Sequence, residues 1–386
     1  MNMRREKGNG SIFYSEERER WVACVNVGYT SKGTRKFKRM YCKTEQEAKK
    51  CLREYKNNIA KQQPGELAKL SLESYMRNQW LEKAKKKSMK PSSYDRLERT
   101  CVHQIFPVIG DIQMCSITVN DIQSLLNDMP PKYSQSVIKK TYDALNACFD
   151  FAVKNDVIMK NPVGSVTVPK SERRTKEIEI LSDEDKQAIK EECTKPFKRG
   201  VSGYRLGYAF ILLLNTGMRE GEICALEWAD VDFEKLIIRI NKTVSEVKIR
   251  DDSADAKYKT IVYNEPKTKS SSRSIPINKA ALDALQHLQE ITGSFKYVLS
   301  TANGTMVKPR KLANTFKTIQ KNCGFEKTYG IHALRHTFAS NLFNKGTDVK
   351  IVSKLLGHSS TSITCNIYIH VIEDVKAQAV ALIDEV

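Results

Sequence analysis

Along the first 64 residues the apolar positions follow a two-residue period and then a helical one. Arg20–Tyr29 (RWVACVNVGY) alternates in part, with Trp21, Ala23, Val25 and Val27 on one side; the T-S-K-G stretch at 30–33 reads as a turn, and Lys36–Cys42 as the partner strand, within a module of three short strands. Thr44 and Glu47 have capping-box spacing, which predicts a helix from there to about Ala60, ended by Pro64-Gly65. From 66 to 170 the period is helical throughout, with helices expected over Leu70–Lys86, Ser93–Phe106, Val119–Asn127 and Ser134–Asp156; Ser92 with Asp95 and Thr118 with Asp121 have the spacing of further capping boxes. Asn161-Pro162 ends this stretch, and Val168–Lys176 (VPKSERRTK) reads as a charged linker. Beyond it the pattern is mixed. Ser182-x-x-Asp185 opens a helix, Val201–Asn215 is apolar on all sides and so predicts a buried helix, and Ile237–Ile240 and Thr260–Tyr263 read as strands. Ser274–Ile277 is expected to close a hairpin before a helix from Asn278, and the last quarter returns to helix. The fold class expected is multidomain α+β: a strand-and-helix module at 1–64, an all-helical domain at 66–170, and a mixed, mainly helical α/β domain at 176–386.

Composition narrows the classes. The 386 residues carry 64 Lys+Arg against 45 Asp+Glu, a formal charge of +19, with 40% hydrophobic residues, and mean hydropathy is -0.47. These values describe ordinary globular cores rather than a disordered chain. The most apolar run, Leu206–Leu214, is well short of the ~20 residues of a membrane span, and MNMRREKGNG at the start has no apolar signal core. A cytoplasmic protein with no membrane association is expected. Ten Cys stand singly with no C-x-x-C pair, so reduced core thiols are expected and no disulfide framework. The basic excess is concentrated early, with 17 Lys+Arg against 8 Asp+Glu in residues 1–70, which points to a polyanionic partner. Lys32, Arg35, Lys36, Lys38 and Arg39 crowd the hairpin with no acid among them; charge that protects an edge strand is one reading, and a surface laid on DNA phosphates is the other. Lys83–Lys90 (KAKKKSMK) is a second basic cluster.

Five stretches of the last domain concentrate groups that bind or transfer phosphate. In NTGMREGEICAL (215–226), Gly217 can end the apolar helix and place Arg219 on the turn into the next; PKTKSSSRSIPI (266–277) is turn-rich and basic, able to project a lysine. IHALRHT (331–337) puts His332 and Arg335 on one helical face, LLGHS (355–359) stops a helix at Gly357 and leaves His358 on the turn, and NIYIH (366–370) carries Tyr368. Four of the six His lie in the last 55 residues. A phosphodiester is anionic and repels nucleophiles. Two guanidinium forks can neutralise its non-bridging oxygens, an imidazole can take a phenolic proton, and an ammonium on a flexible loop can protonate the departing oxygen.

In this order of Arg, Lys, His-x-x-Arg, His and Tyr, the chain resembles the tyrosine recombinases of the lambda-integrase class, and most of all the integrases of conjugative transposons. The resemblance implies that Arg219 and Arg335 are the catalytic arginines, Lys267 the hairpin lysine, His332 the first histidine, His358 the histidine-or-tryptophan position and Tyr368 the nucleophile, with Glu222 in an acidic supporting position. Lys267 and Lys269 both stand in PKTK; Lys267 is preferred because the lysine of the family usually precedes Thr. The three expected domains then become an arm-type DNA-binding module, a SAM-like core-binding domain and the catalytic domain. Also implied are double-stranded core and arm sites as partners, a monomer in solution that forms a homo-tetramer on DNA, an accessory protein for excision, and a tail from Glu373 that docks on a neighbouring protomer. A 3′-phosphotyrosine intermediate would conserve the energy of the broken bond, so neither a metal nor any other cofactor is expected. No G-x-x-x-x-G-K-[ST] loop or H-E-x-x-H pair is present. A phage integrase, an inactive DNA-binding relative and a type IB topoisomerase are the competing readings; the second would show a broken constellation, and the third would not need the basic N-terminal module.

Overall fold

The computed structural model describes residues 10–29, 35–61, 65–173, 178–196, 204–250, 258–263 and 272–365. They fall into two compact units, the first drawn from 1–82, 104–128 and 139–169 and the second from 83–103, 129–138 and 170–386.

The first unit opens with an antiparallel sheet of β1 (Ser11–Ser15), β2 (Arg20–Tyr29) and β3 (Arg35–Cys42) in that order. One face is closed by α1 (Glu45–Lys61), where Ala23, Cys42 and Ala48 are buried against Ile12, Trp21 and Met40. The predicted box fixes the start of α1: Thr44 Oγ1 accepts the Glu47 N–H at 3.2 Å and Glu47 Oε2 accepts the Thr44 N–H at 3.3 Å. After α2 (Glu66–Lys69), α3 (Leu72–Tyr75) starts two residues later than the apolar period suggests, because Ser71 caps it by accepting the Ser74 N–H at 3.2 Å. The helix then continues with π-type winding over Met76–Lys85. Next in the chain, α4 (Pro91–Thr100), which belongs to the second unit, is followed by similar winding at Cys101–Ile105 and by α5 (Phe106–Ile109). The box of Thr118 and Asp121 opens α6 (Val119–Asn127), with bonds of 2.8 and 3.3 Å, and α7 (Gln135–Lys154) follows as predicted. Trp80, Tyr75, Ile122 and Phe149 are fully buried in the first unit.

The second unit is built around α9 (Gly207–Thr216), whose Phe210, Leu212 and Leu213 are buried, as an all-round apolar helix requires. Against it pack α8 (Asp183–Thr194), α11 (Lys279–Thr292) and α13 (His332–Asn344), while Phe316 of α12 (Pro309–Asn322) stacks on Phe210 with centroids 5.2 Å apart. A short α10 (Glu220–Ala225) follows α9 directly, and α14 (Val349–Leu356) lies on α13 through Ala339, Phe343, Val352 and Leu356. The strands form two antiparallel sheets: β4 (Val231–Asp232), β5 (Ile237–Ile240) and β8 (Arg273–Pro276) in the order β4-β5-β8, and β6 (Thr243–Lys248) with β7 (Tyr258–Tyr263).

Three expectations are corrected here. Ser274–Ile277 does not close a hairpin with the preceding strand: β8 pairs with β5, Ile275 opposite Ile238, and β7 pairs with β6. In this pairing Ile275, like Ile238 opposite it, is buried against the helical core. The apolar helix begins at Gly207, after a turn at 204–206, and the earlier part of the expected helix, from Val201, lies outside the described residues. Ser92 and Asp95 form no capping box, because α4 starts earlier, with Lys90 at its cap and Pro91 in its first turn. Asp95 instead accepts from the Lys248 backbone N–H at 2.8 Å and, beside Glu98, pairs with the Arg250 guanidinium.

Candidate active site

The site is assembled where two helices end in left-handed glycines. Gly217 (φ 61°) terminates α9 and Gly357 (φ 64°) terminates α14, conformations that glycine adopts without a steric penalty. A Cβ on Gly217 would lie 2.4 Å from Phe338 Cδ1, so the position is closed to larger residues on packing grounds as well.

These endings bring the predicted arginines together. Arg219, at the start of α10, donates from Nη2 to the Gly357 carbonyl at 3.1 Å and from Nη1 to Glu222 Oε1 at 2.8 Å. Its backbone N–H reaches Glu222 Oε2 at 2.8 Å, so one carboxylate fixes both the turn and the side chain. Arg335, buried on α13, donates from Nη1 to the Gly217 carbonyl at 2.7 Å and from Nη2 to the Leu356 carbonyl at 2.6 Å. The last carbonyls of a helix have no intrahelical partner and sit at its negative end, so α14 offers acceptors that hold cations in place.

Glu222 is 4% exposed. Burial pushes its carboxyl upward, but hydrogen bonds and charge from Arg273, then the charge of Arg219, overcome this and hold it down at about 2. Sequence reasoning missed Arg273. It meets Glu222 bidentately, Nη1 to Oε1 at 3.0 Å and Nη2 to Oε2 at 2.8 Å, and donates from Nε to the Leu355 carbonyl at 2.6 Å. A signal was present: Arg273 and Ile275 alternate on one side of β8, with Ile277 following just beyond it, and an arginine in register with buried isoleucines needs a buried partner.

The histidines are tuned by the same cations. Desolvation, then Arg335, Arg219 and Arg273, depress His358 to about 4, and its Nδ1 lies 2.7 Å from Thr364 Oγ1. His358 is therefore neutral in the folded protein at pH 7. Because the unfolded chain takes up that proton near 6.5, the contribution of His358 to stability is complete above 6.5 and is lost as the pH falls toward 4. Desolvation and the charges of Arg335 and Arg219 also lower His332, leaving an imidazole ready to accept a proton. His336 is lowered by desolvation and by its neighbours His332 and Arg335.

Arg219 and His332 open onto a cleft of about 640 Å³ whose wall also carries Lys90, Arg96, Arg310 and Glu220. Lys90 belongs to the second basic cluster, whereas Arg96 and Arg310 carry no sequence signal of their own. Burial and then the charge of Glu246 raise Glu220 to about 7, so at neutral pH this acid only partly offsets the surrounding cations. Lys267, Lys269, Tyr368, His370 and the tail from 366 lie outside the described residues. Among the described residues no group of three or more His, Cys, Asp or Glu could hold a metal, all ten cysteines are free, and no helix is long and apolar enough to cross a membrane.

The N-terminal basic cluster divides. Alternation along β3 places Lys38 on the side of Met40, which packs beneath α1, and its ammonium rests 5.0 Å from the centre of the Tyr55 ring. Arg39 falls on the opposite face, flanked along β3 by the exposed Phe37 and Tyr41, with Phe13 of β1 exposed nearby and Arg18 lying over Tyr41 at 5.0 Å. Lys32 and the side chains of Arg35 and Lys36 lie outside the described residues.

Comparison with known proteins assigns the family. A model of the phage integrase family matches residues 179–374, and one of the phage integrase N-terminal SAM-like domain matches 74–129. A XerC-like tyrosine recombinase of Caldanaerobacter subterraneus subsp. tengcongensis is 32% identical over 391 residues, covering 95% of this chain and 96% of the relative. The transposase from transposon Tn916 of Enterococcus faecalis is 28% identical over 268 residues, 62% of this chain and 59% of that protein. Among solved structures, the Tn1549 transposon integrase in complex with a circular intermediate DNA has a TM-score of 0.57 at 24% identity, covering 73% of this chain and 90% of that one. The lambda integrase tetramer bound to a Holliday junction has a TM-score of 0.57 at 16% identity over 93% and 97% of the two chains, a likeness of fold. The chain therefore belongs to the phage integrase family and is a tyrosine recombinase, a site-specific enzyme that cleaves and rejoins DNA through a tyrosine-linked intermediate.

Proposed function

We propose that this recombinase integrates and excises a mobile element of the conjugative-transposon kind, using Arg219 and Arg335 to bind the scissile phosphate and Tyr368 to attack it. The observation that carries this reading is the convergence of Arg219, Arg335, His332 and His358 around the end of α14, beside a basic cleft. The similarity to the Tn916 transposase favours a transposon over a phage as the source.

In this mechanism the two guanidiniums neutralise the non-bridging oxygens of the phosphate and stabilise the charge that develops in the transition state. His332, held neutral, takes the proton of the Tyr368 hydroxyl as its oxygen bonds to phosphorus. The bond to the 5′ oxygen breaks, Lys267 protonates that oxygen, and His358 hydrogen-bonds the phosphate. A 3′-phosphotyrosine remains. Attack by a 5′ hydroxyl reverses the steps, so rejoining consumes neither nucleotide nor metal. Glu222 supports the site through Arg219.

The wider assignment follows the same reading. Residues 66–170 and 176–386 grip the core site, and residues 1–64 bind a separate arm site through the open sheet face that carries Arg39, with Lys32, Arg35, Lys36 and Lys38 adding positive charge to the module. Four copies assemble on DNA from monomers, the tail joins neighbouring protomers, an accessory protein sets the direction of the reaction, and the enzyme works in the cytoplasm. The test is to titrate full-length protein and a variant lacking residues 1–64 against arm-site and core-site duplexes at several salt concentrations. A phosphate that the module no longer neutralises keeps its counterions, so the truncated protein should lose arm-site binding, with a shallower salt slope, and keep core-site binding. Equal loss on both duplexes would make the module a general electrostatic clamp, and unchanged binding on both would make it a protein-interaction domain; either overturns the two-site reading.

A further inference from the structure

We propose that Arg273 is a positioning residue for the cleavage reaction: it aims Arg219 at the scissile phosphate through Glu222 and anchors the α14 terminus from which His358 emerges. The inference rests on the reading of Arg219 as a phosphate-binding group. The side chain of Arg273 is 6% exposed and is committed to partners inside the protein. All three of its donor nitrogens are turned inward, two to the Glu222 carboxylate and Nε to the Leu355 carbonyl.

The geometry makes Arg273 the root of two branches. Along the first, its charge, with that of Arg219, keeps the buried Glu222 ionised, so that the carboxylate accepts both the Arg219 backbone N–H and its Nη1 in charge-assisted bonds. Along the second, it holds Leu355 while Arg335 holds Leu356 and Arg219 holds Gly357, so three successive carbonyls at the end of α14 are each bound by a different guanidinium. His358 follows at once. A lysine cannot reproduce this arrangement, because a planar fork satisfies both carboxylate oxygens while Nε points elsewhere, and a single ammonium does not.

The experiment compares wild-type protein, Arg273→Lys, Arg273→Met and Arg219→Lys in single-turnover formation of the covalent adduct. Two nicked core-site duplexes are used, one with an ordinary scissile phosphate and one with a methylphosphonate, which lacks a charged non-bridging oxygen and so depends less on an aimed guanidinium. Misaiming of this kind is worth up to about 100-fold. Arg273→Lys should therefore lose about 10- to 100-fold on the phosphodiester with core-site affinity within about twofold of wild type, and the methylphosphonate should recover most of that loss, as it should for Arg219→Lys. Arg273→Met, which leaves the buried Glu222 with Arg219 as its one remaining cationic partner, is the variant more prone to misfold; Arg273→Lys retains the charge and carries the test. If Arg273→Lys loses equally on both substrates, or loses nothing, while Arg219→Lys shows the selective pattern, the positioning role is overturned and the reading of Arg219 stands. If Arg219→Lys itself shows no deficit on the phosphodiester, the underlying reading fails first.

Discussion

Arg335→Lys is expected to slow covalent cleavage of a core-site duplex by about 100- to 1,000-fold, the usual consequence of removing one well-placed donor from a developing oxyanion. The substitution keeps the charge, so DNA affinity should change little. What is lost is the fork. In the folded protein Nη1 and Nη2 are fixed by the carbonyls of Gly217 and Leu356, on two different helix ends, and this anchorage sets the direction in which the remaining N–H groups point. A single ammonium on a shorter reach does not reproduce two separately aimed nitrogens, and a buried acceptor left unpaired costs about 1–3 kcal/mol. Single-turnover adduct formation, run beside thermal melts, separates the two effects: a rate deficit far larger than the fraction unfolded at the assay temperature supports the role, and a rate that only tracks unfolding contradicts it.

The second large effect concerns stability. Glu222→Gln removes a buried carboxylate that partners Arg219 and Arg273 and strands the Arg273 cation, which should cost about 3–5 kcal/mol. At roughly 2–4 °C per kcal/mol, the melting temperature of the unit that contains it should fall by about 6–20 °C at pH 7. The acid dependence gives an independent check. The carboxyl titrates at about 2 in the folded protein against an ordinary value of 4.5, so its contribution is fully present above 4.5 and is lost as the pH falls toward 2. The gap in melting temperature between wild type and variant should therefore be widest above pH 5 and shrink through this window. A gap independent of pH would mean that Glu222 is not the ionised partner of the two arginines.

What the sequence disclosed and what it concealed divide along local and non-local lines. The boxes at Thr44 and Thr118, the apolar helix ending at Gly217 and the stop at Gly357 all depend on residues within four positions of each other, and they stand as read. Asp95 had the same local signature and did not follow it, because a guanidinium 155 residues away and a backbone N–H on β6 compete for the carboxylate. β6 escaped notice because its buried positions, Val244 and Val247, are three apart and break the two-residue period. The pairing of β8 with β5 was hidden for the same reason that strand order usually is: alternation tells which face is buried and not which strand lies alongside. At the site, the histidines and the two predicted arginines were legible from type and spacing. For Arg273 the alternation signalled a buried partner but not its identity, since Glu222 lies 51 positions earlier and only the fold joins them.

The central claim is covalent attack by Tyr368 on DNA, and it is tested most directly with a nicked suicide duplex carrying a core site, from which the cleaved end cannot rejoin. Wild-type protein should give a band that resists denaturation on a gel, and peptide mapping should find the 3′ phosphate on Tyr368. Tyr368→Phe, which removes one hydroxyl and no charge, should bind the duplex with nearly unchanged affinity and give no band. An adduct formed by the Phe variant, or a wild-type adduct that maps to another residue, would contradict the account.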